Sequence, residues 1–124
     1  MFSRKLRAVG TTILVVLGTG CSSSEVSFEK DVFPVLQQRC VTCHRTGGDG
    51  FIASGFSVEN YADIMKGTKF GPIIQPGSSV SSSLVRMIEH KTDPAIHMPH
   101  GQNPLTPEQV EKLKNWIDSG AKNN

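Results

Sequence analysis

Apolar positions along this chain recur at helical spacing in several short stretches, and no stretch of useful length alternates with the period of a strand. Phe28, Val32, Val35 and Leu36 share one face of a first helix, and Cys40, four residues beyond Leu36, continues that face. Ser27 is placed to cap this helix, and Pro34 either kinks it or marks its true start. Gly47, Gly48 and Gly50 predict a flexible loop. Ser57 is expected to cap a short helix over residues 58–66, stopped by Gly67. Residues 71–77 hold two prolines and two glycines and read as non-helical, so Ile73 and Ile74 must either fill the core or line a bound group. A third helix carries Leu84, Val85, Met87 and Ile88, with Ser78 or a following serine as its cap. The last helix has the fullest set of signals. Thr106 caps it, Pro107 takes its first position and Gln109 completes a capping box. Val110, Leu113, Trp116 and Ile117 form its apolar face, and Gly120 ends it. The pattern predicts an all-α domain of about four short helices.

The first twenty residues stand apart from this pattern. Arg4, Lys5 and Arg7 precede an apolar run ending Ile13-Leu14-Val15-Val16-Leu17, and Gly18, Thr19 and Gly20 follow. A basic head, a short apolar stretch and small residues read as a secretory signal. The run is too short for a membrane span, which needs roughly 20 residues. A buried N-terminal helix is the alternative, but here charge and apolarity are separated by block, not by helical face. Cys21 then resembles the acylated cysteine of a bacterial lipobox, with Leu17 four residues before it where three is usual. The other outcome is plain secretion, with Cys21 removed or left as a free thiol. The expected organisation is a lipoprotein signal peptide over 1–20, a lipidated Cys21 with a serine tether over 21–27, and one domain over 28–121. Such an anchor holds the domain to a bacterial membrane facing the periplasm, and Ser22 after the cysteine favours the outer membrane. Without Arg4, Lys5 and Arg7 the chain has 10 basic against 11 acidic side chains, a net −1 in place of +2. No basic face is left to argue for a nucleic-acid partner.

Residues 40–44 read Cys-Val-Thr-Cys-His, the spacing of a c-type haem attachment site. Each thiol adds across one vinyl group, the two-residue spacer matches the distance between the vinyls, and His44 is placed under the iron as proximal ligand. Its other ring nitrogen is expected to bond a backbone carbonyl near Gly71-Pro72, because a ligating histidine usually has such a partner. Three other uses of the cysteines compete. A zinc site could take Cys40 and Cys43 with His97 and His100. A redox dithiol would need a βαβ context, which the pattern lacks. A plain disulfide would have no use for His44. For the second axial position, Met65 and Met87 fall on helical patterns and read as core filler. Met98 lies in a loop beside Pro99, which biases it to an extended backbone, and is the preferred ligand, with His97 or His100 as rivals.

Together these residues resemble the class I c-type cytochromes, and in detail the planctomycete-type cytochrome c domain. The likeness rests on residues 35–44, 71–77 and 83–86, on Met98-Pro99, and on Leu105-Thr106-Pro107-Glu108 with residues 116–121. It departs at His97 and His100, which flank the Met-Pro pair. The resemblance implies a small cytochrome c-like fold packed around one covalent haem c, with His44 and Met98 as axial ligands. With both positions filled, it implies an electron carrier with redox proteins as partners, no small-molecule substrate and no enzymatic activity. The alternatives are a haem enzyme or gas sensor with a labile sixth ligand, and a zinc-binding structural module.

Overall fold

The computed structural model describes residues 25–124; the expected signal segment and Cys21 lie outside the described residues. Among the described residues there are five α-helices and no strand beyond a single antiparallel bridge between Thr68 and Gly71. The helices are α1 (Phe33–Arg39), α2 (Asp49–Ser54), α3 (Tyr61–Lys66), α4 (Ser83–Ile88) and α5 (Pro107–Asp118). A π-helical turn, Phe28–Val32, leads into α1, and a 3-10 turn, Pro94–Ile96, lies between α4 and α5. The fold is a small all-α one of cytochrome c type. None of these helices is long and apolar enough to cross a membrane.

Local chemistry explains most of the boundaries. Ser27 accepts the Lys30 N–H at 3.2 Å and so starts the first turn. Pro34, in the first turn of α1, marks where α-helical geometry begins. Thr106 and Gln109 form the complete capping box of α5, with bonds of 3.2 and 3.0 Å. Gly67 ends α3 with φ +81°, a backbone that side chains rarely adopt.

Three expectations are corrected. Residues 47–50 are not all loop, because α2 begins at Asp49 and contains Gly50. The cap of α3 is Asn60, whose side chain accepts the Asp63 N–H at 2.9 Å; Ser57 instead accepts from Glu59 N two residues on, a local turn that delays the helix. Ser82 occupies the cap position of α4 but makes no capping bond. Its hydroxyl donates to Ser78 O at 2.8 Å and accepts from Gln75 N at 2.8 Å, closing the serine-rich loop.

The core joins the two ends of the domain. Trp116 of α5 is fully buried against Phe28, with ring centroids 5.4 Å apart, and Tyr61 meets Phe28 edge-on at 5.2 Å. The polar tips of both large rings are satisfied: Trp116 Nε1 donates to Lys122 O at 2.8 Å and Tyr61 Oη to Ala121 O at 2.7 Å. Leu36, Ile64, Leu113 and Ile117 are among the other fully buried core side chains; burying such a side chain contributes about 1.5–3 kcal/mol. Val110 is only half-buried, at the rim of the face it was expected to share. Asn124 clasps the entry of the chain, bonding Phe28 N through its side chain and Ser27 and Glu29 through its carbonyl, while Lys122 pairs with Glu25 at 2.6 Å.

Candidate haem site

The end of α1 places the motif. Cys40 N donates to Leu36 O at 2.9 Å, and His44 N to Cys40 O at 2.9 Å, so the motif continues as one turn of helix-like backbone. Positions 36, 40, 43 and 44 therefore face one way. That direction is an apolar cavity of about 440 Å³, lined by all four side chains. Its volume falls in the range of roughly 300–1,000 Å³ usual for small-molecule and cofactor pockets. Leu84, Met87 and Ile88 of α4 form one wall, with Ile73 beside them. Of the two isoleucines in the irregular segment, Ile73 lines the cavity and Ile74 is buried in the core. Arg39, Asp49, Ser54, Thr68, His100 and Gln102 supply the polar part of the lining.

His44 is held from three directions. Its Nδ1–H donates to Phe56 O at 3.3 Å, its ring meets the Phe56 ring edge-on at 5.3 Å, and its carbonyl accepts Val58 N at 2.8 Å. The expected carbonyl near Gly71-Pro72 is thus replaced by that of Phe56, which the turn after α2 brings under the ring. Gly50 closes a further side. A Cβ there would stand 2.7 Å from His44 Cε1 and 2.9 Å from Nδ1. Burial holds the His44 pKa below its usual value, partly offset by the bond to Phe56 O. The ring is a neutral imidazole, and with Nδ1 engaged, Nε2 is the nitrogen left for a metal. Burial also pushes the Cys40 thiol up to about 11, against the pull of the neighbouring Arg39 charge. It stays protonated at neutral pH, unlike the attacking thiolate of a redox dithiol.

Met98 lines the same cavity from the loop after α4, with Pro99 and His100. Its N–H donates to Met87 O at 3.2 Å. Met87 also lines the cavity, so it is a wall residue where a core filler was expected. It sits in a helical row with Leu84 and Ile88, whereas Met98 is presented from irregular backbone. Met65 is absent from the lining and packs against the core. His97 is turned elsewhere: its Nε2 donates to Thr92 O at 3.0 Å and its ring stacks on His90. Of the two histidine rivals only His100 reaches the cavity. Among the described residues no three His, Cys, Asp or Glu side chains gather as a metal site, so the zinc arrangement with His97 and His100 is not assembled. Arg39, at the end of α1, ties the motif to the start of α5, donating to Asn103 O at 2.6 Å and to Gln109 Oε1 at 3.4 Å.

Short helices around an apolar cavity, with a Cys-x-x-Cys-His turn and a Met-Pro loop both facing into it, define a class: small all-α proteins of cytochrome c type. Residues 40–100 match the family model described as Planctomycete cytochrome C, which marks a planctomycete-type cytochrome c domain in this chain. That match opens on Cys40 and closes on His100, so it spans the motif and the Met98-Pro99 loop. No curated protein and no solved structure gives a match. A domain of this kind brings haem-based electron transfer as the type of function and a c-type haem as the implied cofactor. The lining fits that group: two thiols three positions apart, a neutral imidazole directly after them, and apolar walls.

Proposed function

We propose that this protein is an electron carrier holding one haem c, bonded through Cys40 and Cys43 and ligated axially by His44 and Met98. The observation that carries the reading is the convergence of those four side chains on one apolar cavity. The bound haem supplies a one-electron couple, and histidine–methionine ligation sets a comparatively high potential. The chain's own residues do the rest. Phe56 O keeps the His44 proton on Nδ1, and Gly50 leaves the ring room to stand in one orientation. Leu36, Ile73, Leu84 and Ile88 give the cavity apolar walls that would keep water from a bound haem. His44 and Met98 together would hold the haem iron from both sides and leave no position for a substrate, which suits redox proteins that give and take single electrons as partners. Export and acylation of Cys21 would place the carrier on a bacterial membrane facing the periplasm.

The test is the protein matured in cells that attach c-type haem. Haem should remain on the denatured chain and be lost from the Cys40→Ser, Cys43→Ser variant. Ferric parent protein should show the methionine-sulfur-to-iron absorption band, and Met98→Ala should abolish it and lower the potential. Survival of the band would assign the ligand to Met87, and a bis-histidine spectrum in the parent would assign it to His100.

A further inference from the structure

His90 lies two residues beyond the end of α4, after Glu89, and adopts φ +57°, a left-handed backbone uncommon for a residue with a Cβ. That turn carries its ring back over His97, with centroids 4.4 Å apart and planes only 5° from parallel. Both rings are tied to backbone carbonyls: His90 Nε2 stands 3.2 Å from Met98 O, and His97 Nε2 stands 3.0 Å from Thr92 O. A carbonyl oxygen only accepts, so each ring carries a proton on Nε2 and donates it. The Met98 backbone is thereby gripped at both ends. Its N–H is bonded to Met87 O of α4, and its carbonyl to His90 from the solvent side. Pro99, buried behind it, limits the backbone further. A strained residue persists where its surroundings make up the cost, and for the exposed His90 those surroundings are the stack and the bond to Met98.

We propose that His90, stacked on His97, is a positioning residue that keeps the Met98 thioether presented to the cavity. This rests on the reading of Met98 as the distal ligand. Without the grip the loop between α4 and α5 samples arrangements in which the thioether is withdrawn, and the sixth position becomes open to added ligands.

His90→Gly tests this directly, because glycine accepts φ +57° and only the ring is removed. In the ferric haem protein the methionine-sulfur band should weaken, and imidazole should bind about tenfold more tightly, since apparent affinity follows the fraction of open molecules. His90→Gln, whose amide restores a donor of similar reach, should recover much of the band. His97→Ala removes the stack but leaves the donor, should fall between the two, and keeps the test alive if the glycine variant folds poorly. Met98→Ala separates the layers of the argument. If it abolishes the band while His90→Gly and His97→Ala both keep parental band and imidazole affinity, the positioning role is overturned and the ligand reading stands. If Met98→Ala keeps the band, both fall.

Discussion

At Gly50 two physical preferences oppose each other. The residue lies inside α2, where alanine is a better helix former by about 1 kcal/mol. Yet a Cβ would press on the His44 ring and come within 3.0 Å of Cys43 O. These neighbours have little room to give, because the ring is held by Phe56 O and the carbonyl is bonded to Phe51 N. Gly50→Ala should therefore destabilise the haem protein by about 1–3 kcal/mol, the usual cost of overpacking. It should also disturb the low-spin iron spectrum; thermal melts and magnetic circular dichroism would read both effects, and a stabilised protein with parental spectrum would refute the packing account. Glu59 acts on the same turn from outside. Its carboxylate accepts from Thr46 Oγ1 at 2.6 Å, Thr46 N at 2.8 Å and Ser57 Oγ at 3.1 Å, and these bonds, those from Thr46 above all, hold its pKa below the usual value. A depressed carboxylate contributes stability above its unfolded pKa of about 4.3 and loses it as pH falls through the folded value. Glu59→Gln should melt below the parent at pH 7, and the gap should close in acid. A gap independent of pH would assign the effect to something other than this charge.

The elements differ in how openly they are written in the chain. The capping box of α5 is spelled by adjacent side chains, and it forms as written. Thr106→Ala should cost about 1 kcal/mol, lowering the melting midpoint by roughly 4–8 °C in a domain of this size; an unchanged midpoint would mean that α5 is held by the Trp116 packing alone. That Cys40, Cys43 and His44 face inward together was equally legible, because the motif is contiguous and one helical turn suffices to aim it at the cavity. α2 was not, since glycine is a poor helix former and Gly47-Gly48-Asp49-Gly50 carries no helical signal. Its reason lies in a tertiary contact with His44 that no local pattern records. The Phe56 carbonyl was hidden for a different reason. Every residue has a carbonyl, so nothing in the sequence distinguishes the one that will orient a ring. Met87 was misjudged because the same helical spacing serves a core and a cavity wall. The grip of His90 on Met98 depends on a left-handed turn at a residue type that gives only a weak hint of one.

On the scale of the molecule, the domain carries almost no net charge once the first twenty residues are set aside. Attraction to a membrane surface through basic residues is therefore weak, and the proposed acylation at Cys21 would be what attaches the protein; each buried methylene contributes about 0.8 kcal/mol. Cys21→Ser should release a soluble haem protein with the parental spectrum. Persistence in the membrane fraction after a salt wash would rule out the lipid anchor.

The clasp between Asn124 and residues 25–29 has a further consequence. The two ends of the described segment meet at one point, on the aromatic core side built by Phe28 and Trp116. The backbone thus runs almost as a closed circuit, and a domain whose ends adjoin tolerates being spliced into another chain or opened at a different place. Joining Asn124 to Glu25 by a short glycine linker and cutting at the exposed Gln75-Pro76-Gly77 stretch should give a rearranged chain with the same haem cavity. The unit is, in this sense, a portable cassette, able to sit at the tip of a tether or within the loop of a larger protein without change to the residues that line the cavity.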